Sequence, residues 1–119
     1  TIQADRIEAL SQLVSMTQSI VVLKGQHTVI ASPTCNTVCC KQGNPGMAVG
    51  GMGDILTGSI AAIAVQGLRH HLTLWEATCI AVQLHASAAD SLVAKQVGPI
   101  GLTPSEVIME MRSILNKLL

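Results

Sequence analysis

Apolar residues recur at helical spacing in four stretches of the chain. In the first, ADRIEALSQLVSMTQ, the residues Ile7, Leu10, Leu13 and Val14 share one face, which predicts a helix. Two more helices are predicted over residues 53–65 and 74–93, and Gly67 is expected to end the first of these. A fourth begins after Thr103, with Pro104 at its first position and Glu106 completing a capping box. Its expected apolar stripe consists of Ile108, Met111, Ile114, Leu115 and Leu118.

Short β-branched runs between the first two helical patterns predict three strands. They cover Ser19–Leu23, Thr28–Ala31 and Asn36–Lys41, and a turn at Ser32–Thr34 separates the last two. Those two lie close enough in sequence to form an antiparallel hairpin. The predicted order is therefore helix, three strands, a glycine-rich loop and three helices.

The composition points to an aliphatic core in an α/β fold. Hydrophobic residues make up 49% of the 119 residues, with one Trp and no Phe or Tyr. This composition suits a parallel sheet whose strands are covered on both faces, together with buried helices. The apolar helices look like one layer of an α/β sandwich, and they need a larger sheet than three short strands provide. We therefore expect the rest of the sheet to lie N-terminal to Thr1.

Charge and hydropathy argue against nucleic acid and membrane as partners. Seven basic and seven acidic side chains cancel, so no net field attracts polyanions. Aromatic platforms for stacking bases are also missing. The most apolar helix pattern, residues 55–65, is too short to span a bilayer.

The cysteines and histidines do not predict a metal site. Cys35, Cys39, Cys40 and Cys79 match no standard zinc spacing and read as reduced thiols of a cytoplasmic protein. The histidines are interpreted as structural or surface groups: His70, His71 and His85 lack acidic companions at metal spacing. His27 is interpreted as a polar turn residue.

The stretch NPGMAVGGMGD, from Asn44 to Asp54, carries the candidate chemistry. It contains four glycines, leads into the second predicted helix and ends on a carboxylate. Glycines let backbone N–H groups converge, and a helix N-terminus favours an anion such as phosphate. A plain tight turn with a glycine-assisted helix start explains the same spacing. The stretch is neither a Walker A loop nor a dinucleotide fingerprint in context.

Two further positions have both a functional and a structural interpretation. Asp54 in the first helical turn either complements the helix dipole or acts as a base beside the converging N–H groups. Lys24 ends the first predicted strand, where α/β ligand sites gather. It either pairs with a phosphate or is a solvated strand-end lysine.

These residues together resemble the C-terminal half of the NAD(P)H-hydrate dehydratase family. The joint pattern is KGxxT…NxGMAxGGxGDxLxG, found here in VVLKGQHTVIASP and NPGMAVGGMGDILTGSIAAIAVQG, and the likeness covers most of the chain. A lone GxGD would indicate only the broader ribokinase-like superfamily. The resemblance implies ADP- or ATP-dependent repair of hydrated NADH and NADPH, the substrate (6S)-NAD(P)HX. It also implies Mg²⁺ bound with the nucleotide phosphates.

The resemblance also implies roles for individual residues. Asp54 would contact the hydrated nicotinamide and act as the base, while the 6-hydroxyl is phosphorylated and phosphate then leaves. The nucleotide would be lined by the KGxxT segment and by the glycine-rich loop around its phosphates: Lys24, Gly25, Gln26, His27, Thr28, Asn44, Pro45, Gly46, Met47, Ala48, Val49, Gly50, Gly51, Met52 and Gly53.

The extent of the chain leaves three hypotheses open. Residues 1–119 are expected to be the C-terminal portion of a single ribokinase-like domain whose N-terminal half is absent from this sequence. Family members are often fused to an epimerase domain, and exposed apolar surface favours a homo-oligomer. The first hypothesis is the dehydratase. The alternatives are a kinase of a small alcohol or vitamin precursor, and a non-catalytic nucleotide-binding fragment.

Overall fold

Helices and strands follow one another in the predicted order along the computed structural model. The structure describes the backbone of residues 2–118 and the side chains of residues 4–118. The elements are α1 Ile2–Thr17, β1 Val21–Leu23, β2 Val29–Ala31, β3 Val38–Cys39, α2 Met52–Gly67, α3 Leu74–Ala94 and α4 Pro104–Lys117, with short 3-10 helices at Pro45–Met47 and Leu68–His70. The mixed α/β class and the order of elements are confirmed.

The chain divides into two compact units, one ending at Lys41 and the other beginning at Gln42. In the first unit the sheet order is β1-β2-β3 and both pairs are antiparallel. The predicted hairpin of β2 and β3 is confirmed, whereas the expectation of a parallel sheet is wrong for these strands. The connections, residues 24–28 and 32–37, are too short for the crossover that parallel neighbours require.

The core of the first unit lies between α1 and β2. Leu10 is 1% exposed, and with Val14 it packs against Val29 and Ala31. Ile7 and Leu13 are exposed although they belong to the predicted apolar face of α1. Only half of that face is therefore buried in the described chain.

The core of the second unit is built around α3, which packs against both α2 and α4. Alanines on α3 bring the helices close, while larger side chains from the loop and the neighbouring helices fill the space. The buried cluster consists of Met52, Leu84, Ala88, Ala89, Leu92, Leu102, Val107 and Met111.

Residues within one turn of each helix terminus account for where these helices begin and end. Thr73 and Thr103 each form a complete capping box, with Glu76 and Glu106 respectively, so the predicted start of α4 is confirmed. The helix α2 ends at Gly67 as predicted, but not through a left-handed glycine. Gly67 has helical dihedrals, and a Cβ there would lie 3.0 Å from Leu72 Cβ. The residue is small because Leu72 packs on it.

The apolar stripe of α4 is only partly buried. Met111 is buried and Ile114 packs against the core, together with Val107, which the predicted stripe did not include. Ile108, Leu115 and Leu118 are exposed. Within residues 2–118, no helix combines the length and hydropathy required to cross a membrane.

Candidate functional site

The glycine-rich loop begins with a capped turn of 3-10 helix. Asn44 has extended backbone, and its Oδ1 accepts a hydrogen bond of 3.0 Å from the Gly46 N–H. The N–H groups of Met47 and Ala48 donate to the carbonyls of Asn44 and Pro45. These hydrogen bonds give the Asn-Pro-Gly sequence a defined turn conformation.

Asp90 on α3 holds the start of this turn. Its Oδ2 accepts from the Gly43 N–H at 2.9 Å, and its Oδ1 accepts from Asn44 Nδ2 at 2.9 Å. Asn44 therefore uses one end of its amide on Asp90 and the other on Gly46. Sequence reasoning missed Asp90, although an acid inside a nearly apolar helix was a signal that could have found it.

A second polar contact lies one turn earlier on the same helix. Gln83 Nε2 donates to Gln42 Oε1 at 2.6 Å and to Ser87 Oγ at 3.0 Å, and Ser87 Oγ also donates to Gln42 Oε1. The three α3 side chains, Gln83, Ser87 and Asp90, have the spacing i, i+4 and i+7 of one helical face. That face contacts the residues that lead into the loop.

Two glycines of the loop are required by close approach. A Cβ on Gly46 would lie 2.6 Å from the Pro99 carbonyl oxygen and 3.0 Å from Pro99 Cα. Gly51 has φ of +90°, and a Cβ there would lie 3.3 Å from Pro104 Cγ at the start of α4. Gly50 differs, because a Cβ there meets nothing within 4 Å.

The N-terminus of α2 has the features of an anion site. Gly51 is its N-cap in the left-handed conformation, and no side chain caps the helix. The first N–H groups of a helix have no acceptor within it, and the helix dipole makes that end positive. Asp54 lies in the first turn with its side chain exposed. The geometry can hold an anion and place a carboxylate beside it.

The segment Lys24–Thr28 forms a tight turn in the first unit. Arg6 of α1 donates to the carbonyls of Gln26 at 2.8 Å, Leu23 at 3.4 Å and His27 at 3.4 Å. A Cβ on Gly25, whose φ is +155°, would lie 3.0 Å from Arg6 Nη2. Arg6 therefore holds this turn, a role that the sequence did not reveal.

The side chains of this turn agree with their sequence interpretation in part. Lys24 is exposed, as expected for both of its interpretations. His27 has φ of +60° within the turn, which matches a polar turn residue. This turn belongs to the first unit and the glycine-rich loop to the second.

The remaining cysteines and histidines lie elsewhere. All four cysteines are free thiols, and Cys40 is buried. His85 is buried on α3, whereas His70 and His71 are exposed near the end of α2. Among residues 2–118, no three His, Cys, Asp or Glu side chains are grouped to hold a metal ion.

A family model described as NAD(P)H-hydrate dehydratase matches residues 1–112. The chain belongs to the NAD(P)H-hydrate dehydratase family. The resemblance inferred from the joint motif is therefore confirmed. The match includes both the Lys24–Thr28 turn and the glycine-rich loop.

Relatives in this family are much longer than the chain. The bifunctional NAD(P)H-hydrate repair enzyme of Vibrio cholerae is 43% identical over 115 residues, which cover 97% of this chain and 22% of the relative. The ADP-dependent (S)-NAD(P)H-hydrate dehydratase of Neisseria meningitidis is 33% identical over 117 residues, covering 98% and 38% respectively. The chain thus spans about a fifth to two fifths of these dehydratases.

A solved structure of the family has the same fold over nearly the whole chain. It is the ADP/ATP-dependent NAD(P)H-hydrate dehydratase of Bacillus subtilis, co-crystallised with ATP and Mg²⁺, with a TM-score of 0.85 and 29% identity. The superposition covers 99% of this chain and 41% of that one. The fold described above is therefore that of part of a dehydratase of this family.

Proposed function

We propose that residues 1–119 form the C-terminal portion of a single ribokinase-like domain that dehydrates (6S)-NAD(P)HX with ADP or ATP. Family membership and the named activities of the relatives support this proposal. The observation that carries it is the N-terminus of α2. There a fixed glycine-rich loop leads into a helix start without a side-chain cap, and an exposed carboxylate follows in the first turn.

In this proposal the loop binds the nucleotide phosphates. The N–H groups of Gly53 and Asp54, in the first turn of α2, would donate to phosphate oxygens. Gly50 leaves open space at the loop, so phosphate can approach the backbone there. ADP or ATP supplies the phosphoryl group that turns the 6-hydroxyl into a leaving group; phosphate would then leave C6 while C5 loses a proton to water, which restores the C5–C6 double bond. The turn at Lys24–Thr28 would line the nucleotide.

Asp54 is proposed as the base. Its carboxylate is exposed, and in the first helical turn it lies next to the N–H groups that would hold the phosphoryl group. It would accept the proton of the 6-hydroxyl while those N–H groups hold the phosphoryl oxygens.

Mg²⁺ in this site would be held mainly by the nucleotide. This cation is usually bound by one or two carboxylates together with substrate phosphates and water. Among residues 2–118 no cluster of metal ligands is found, which fits an ion held by the nucleotide phosphates and water while Asp54 acts as the base. Mg²⁺ would offset the negative charge of the phosphates.

The wider context of the protein is also a proposal. Relatives are named bifunctional repair enzymes, and we propose that the complete protein carries an epimerase domain as its second activity. Free thiols at all four cysteines support a cytoplasmic location, where cysteines stay reduced.

The activity is tested with the full-length encoded protein, (6S)-NADHX and ADP. We expect the absorbance of NADH to recover, with release of AMP and inorganic phosphate. A folded protein that binds ADP but restores no NADH would contradict the proposed reaction. Accumulation of a phosphorylated small alcohol instead would favour a kinase.

The role of Asp54 is tested by Asp54→Asn. We expect turnover to fall by about 10²- to 10⁴-fold, the usual contribution of a general base, while ADP still binds. The readouts are kcat from NADH recovery and the ADP dissociation constant from calorimetry. Wild-type turnover in Asp54→Asn would exclude Asp54 as the base, and loss of ADP binding would assign it to the nucleotide instead.

A further inference from the structure

One face of α3 forms hydrogen bonds with residues 42–44, which lead into the glycine-rich loop and begin it. Gln83 and Ser87 contact the side chain of Gln42, and Asp90 contacts the next two residues, Gly43 and Asn44. Consecutive residues of the chain thus meet successive turns of the helix. This face contains the only carboxylate among those contacts, the half-buried Asp90.

The carboxylate determines which way the Asn44 amide points. An ionised carboxylate only accepts hydrogen bonds, so the Asn44 atom facing Asp90 must be the donor Nδ2. The acceptor Oδ1 is then directed to the Gly46 N–H, 3.0 Å away. The same carboxylate accepts from the Gly43 N–H. Asp90 therefore sets both the backbone and the amide at the first turn of the loop.

Two further contacts of the loop with its own unit are steric. Pro99 lies against Gly46 and Pro104 against Gly51, and these contacts limit how far the loop can move without directing its N–H groups. A hydrogen bond to a charged acceptor is directional and about twice as strong as a neutral one. Asp90 is thus the group that orients the first turn.

We infer that Asp90 is a positioning residue that presets the glycine-rich loop for a nucleoside diphosphate, acting through Gly43 and Asn44. The inference rests on the proposed function, since it assigns the loop to nucleotide phosphates. A preset loop binds without the cost of ordering its backbone. In this inference Asp90 acts through its hydrogen bonds to these two residues.

The test is Asp90→Asn in the full-length protein. The new amide has one acceptor oxygen in place of two, so either Gly43 N–H or Asn44 Nδ2 faces another donor. We expect the KM for ADP to rise about 10-fold, the equivalent of about 1.4 kcal/mol for one charge-assisted hydrogen bond. We expect kcat at saturating ADP to change less than about 3-fold, because Asp54 and α2 are unaltered.

Glu110→Gln provides the matched control. It is also a carboxylate-to-amide change at a contact with the C-terminal part of α3, where the Glu110 side chain accepts from Ser91 and Lys95, neither of which belongs to the loop. It should lower thermal stability while leaving the KM for ADP within about 2-fold of wild type. A rise in KM for both variants would mean that general destabilisation is responsible and would overturn the inference.

A reciprocal exchange tests the pairing itself. In the double variant Asn44→Asp with Asp90→Asn, the new amide on α3 can donate to the new carboxylate and accept from Gly43. The carboxylate then keeps a free oxygen for the Gly46 N–H. We expect its KM for ADP to lie closer to wild type than that of Asp90→Asn. An equal or higher KM in the double variant would contradict positioning through Asn44.

Calorimetry with ADP separates this inference from the proposed reaction. If wild type binds ADP but does not dehydrate NADHX, the proposed reaction fails, and the same three variants still test Asp90 through their dissociation constants. If Asp90→Asn binds ADP as wild type does, the inference fails whether or not the dehydratase activity is present.

Discussion

Glycines within ten residues of one another serve different purposes in the loop. Gly46 is small because a backbone carbonyl of Pro99 lies where a Cβ would be, and Gly51 because its φ is +90°. Gly50 has neither constraint. The pattern of glycines was visible in the sequence, but these separate reasons depend on residues about fifty positions away.

Gly46→Ala is expected to destabilise the chain. A Cβ at 2.6 Å from a backbone oxygen forces the loop or the Pro99 turn to move, which costs about 1–3 kcal/mol as other overpacking changes do. Urea unfolding measures the change. A variant as stable as wild type would show that the two segments separate freely.

The variant Gly50→Ala is expected to change the affinity for ADP without changing the stability of the fold. The Cβ enters open space, so the stability should stay within about 0.5 kcal/mol of wild type. If phosphate approaches the backbone here, the methyl group stands in its way, and we expect ADP affinity to fall about 10-fold. Calorimetry provides the measurement. Unchanged affinity would place the phosphates away from Gly50.

Arg6 shows why some roles could not be predicted at this scale. Its three carbonyl acceptors lie between 17 and 21 residues further along the chain. An arginine on a helix pattern is normally read as a solvated surface residue. Only the packing of α1 beside the strands brings its guanidinium to the turn at Lys24–Thr28.

At the scale of elements, an ion pair joins the C-terminal end of α3 to α4, with Lys95 half exposed and Glu110 buried. Lys95 Nζ donates to Glu110 Oε1 at 2.7 Å, and Ser91 donates to the same oxygen at 3.1 Å. The hydrogen bond from Lys95 is the main cause that lowers the pKa of Glu110 below its ordinary value of 4.5; burial opposes it, and Ser91 adds to the lowering.

This pKa predicts how the stability depends on pH. A carboxyl group with a depressed pKa in the folded state stabilises the fold above its ordinary value of 4.5. That stabilisation is lost as the pH falls through the lowered pKa. Glu110→Gln should therefore cost about 1–3 kcal/mol near pH 7, and the difference from wild type should shrink near pH 3.

Urea unfolding at the two pH values checks this expectation. Glu8→Gln, an exposed change on α1, serves as the control and should alter stability by less than about 0.5 kcal/mol at both. A difference between Glu110→Gln and wild type that is the same at both pH values would contradict the role of the ionised carboxylate.

For the helices, sequence signals predicted where an element begins more accurately than which of its faces is buried. The start of α4 followed from Thr103, Pro104 and Glu106, because a capping box acts within four residues. Which face of α4 is buried did not follow from its apolar stripe. Val107 is fully buried and Leu118 is 77% exposed, since the position of α3 decides which side packs.

At the scale of the whole molecule, several large apolar side chains of the second unit are exposed. Val65 and Leu68, at the end of α2, are 69% and 70% exposed, and Ile100 is 96% exposed. Contiguous exposed apolar surface drives association in water.

We expect the isolated 119-residue chain to associate as its concentration rises. Light scattering with size-exclusion chromatography measures the molar mass. Val65→Gln with Leu68→Gln should reduce association without loss of helical signal, whereas Glu8→Gln, an exposed polar change on α1, should not. A chain that stays monomeric at all concentrations would show that this surface does not mediate association.

The sequence by itself determined the elements, the motif and the family. Each of these depends on near neighbours: periodicity over a few turns, capping over four residues, and a glycine pattern that ends on Asp54. The tertiary structure decided the buried faces of α1 and α4 and the hydrogen bonds of Asp90 to Gly43 and Asn44. These contacts join residues far apart in sequence, and only the packed positions of helices and strands specify them.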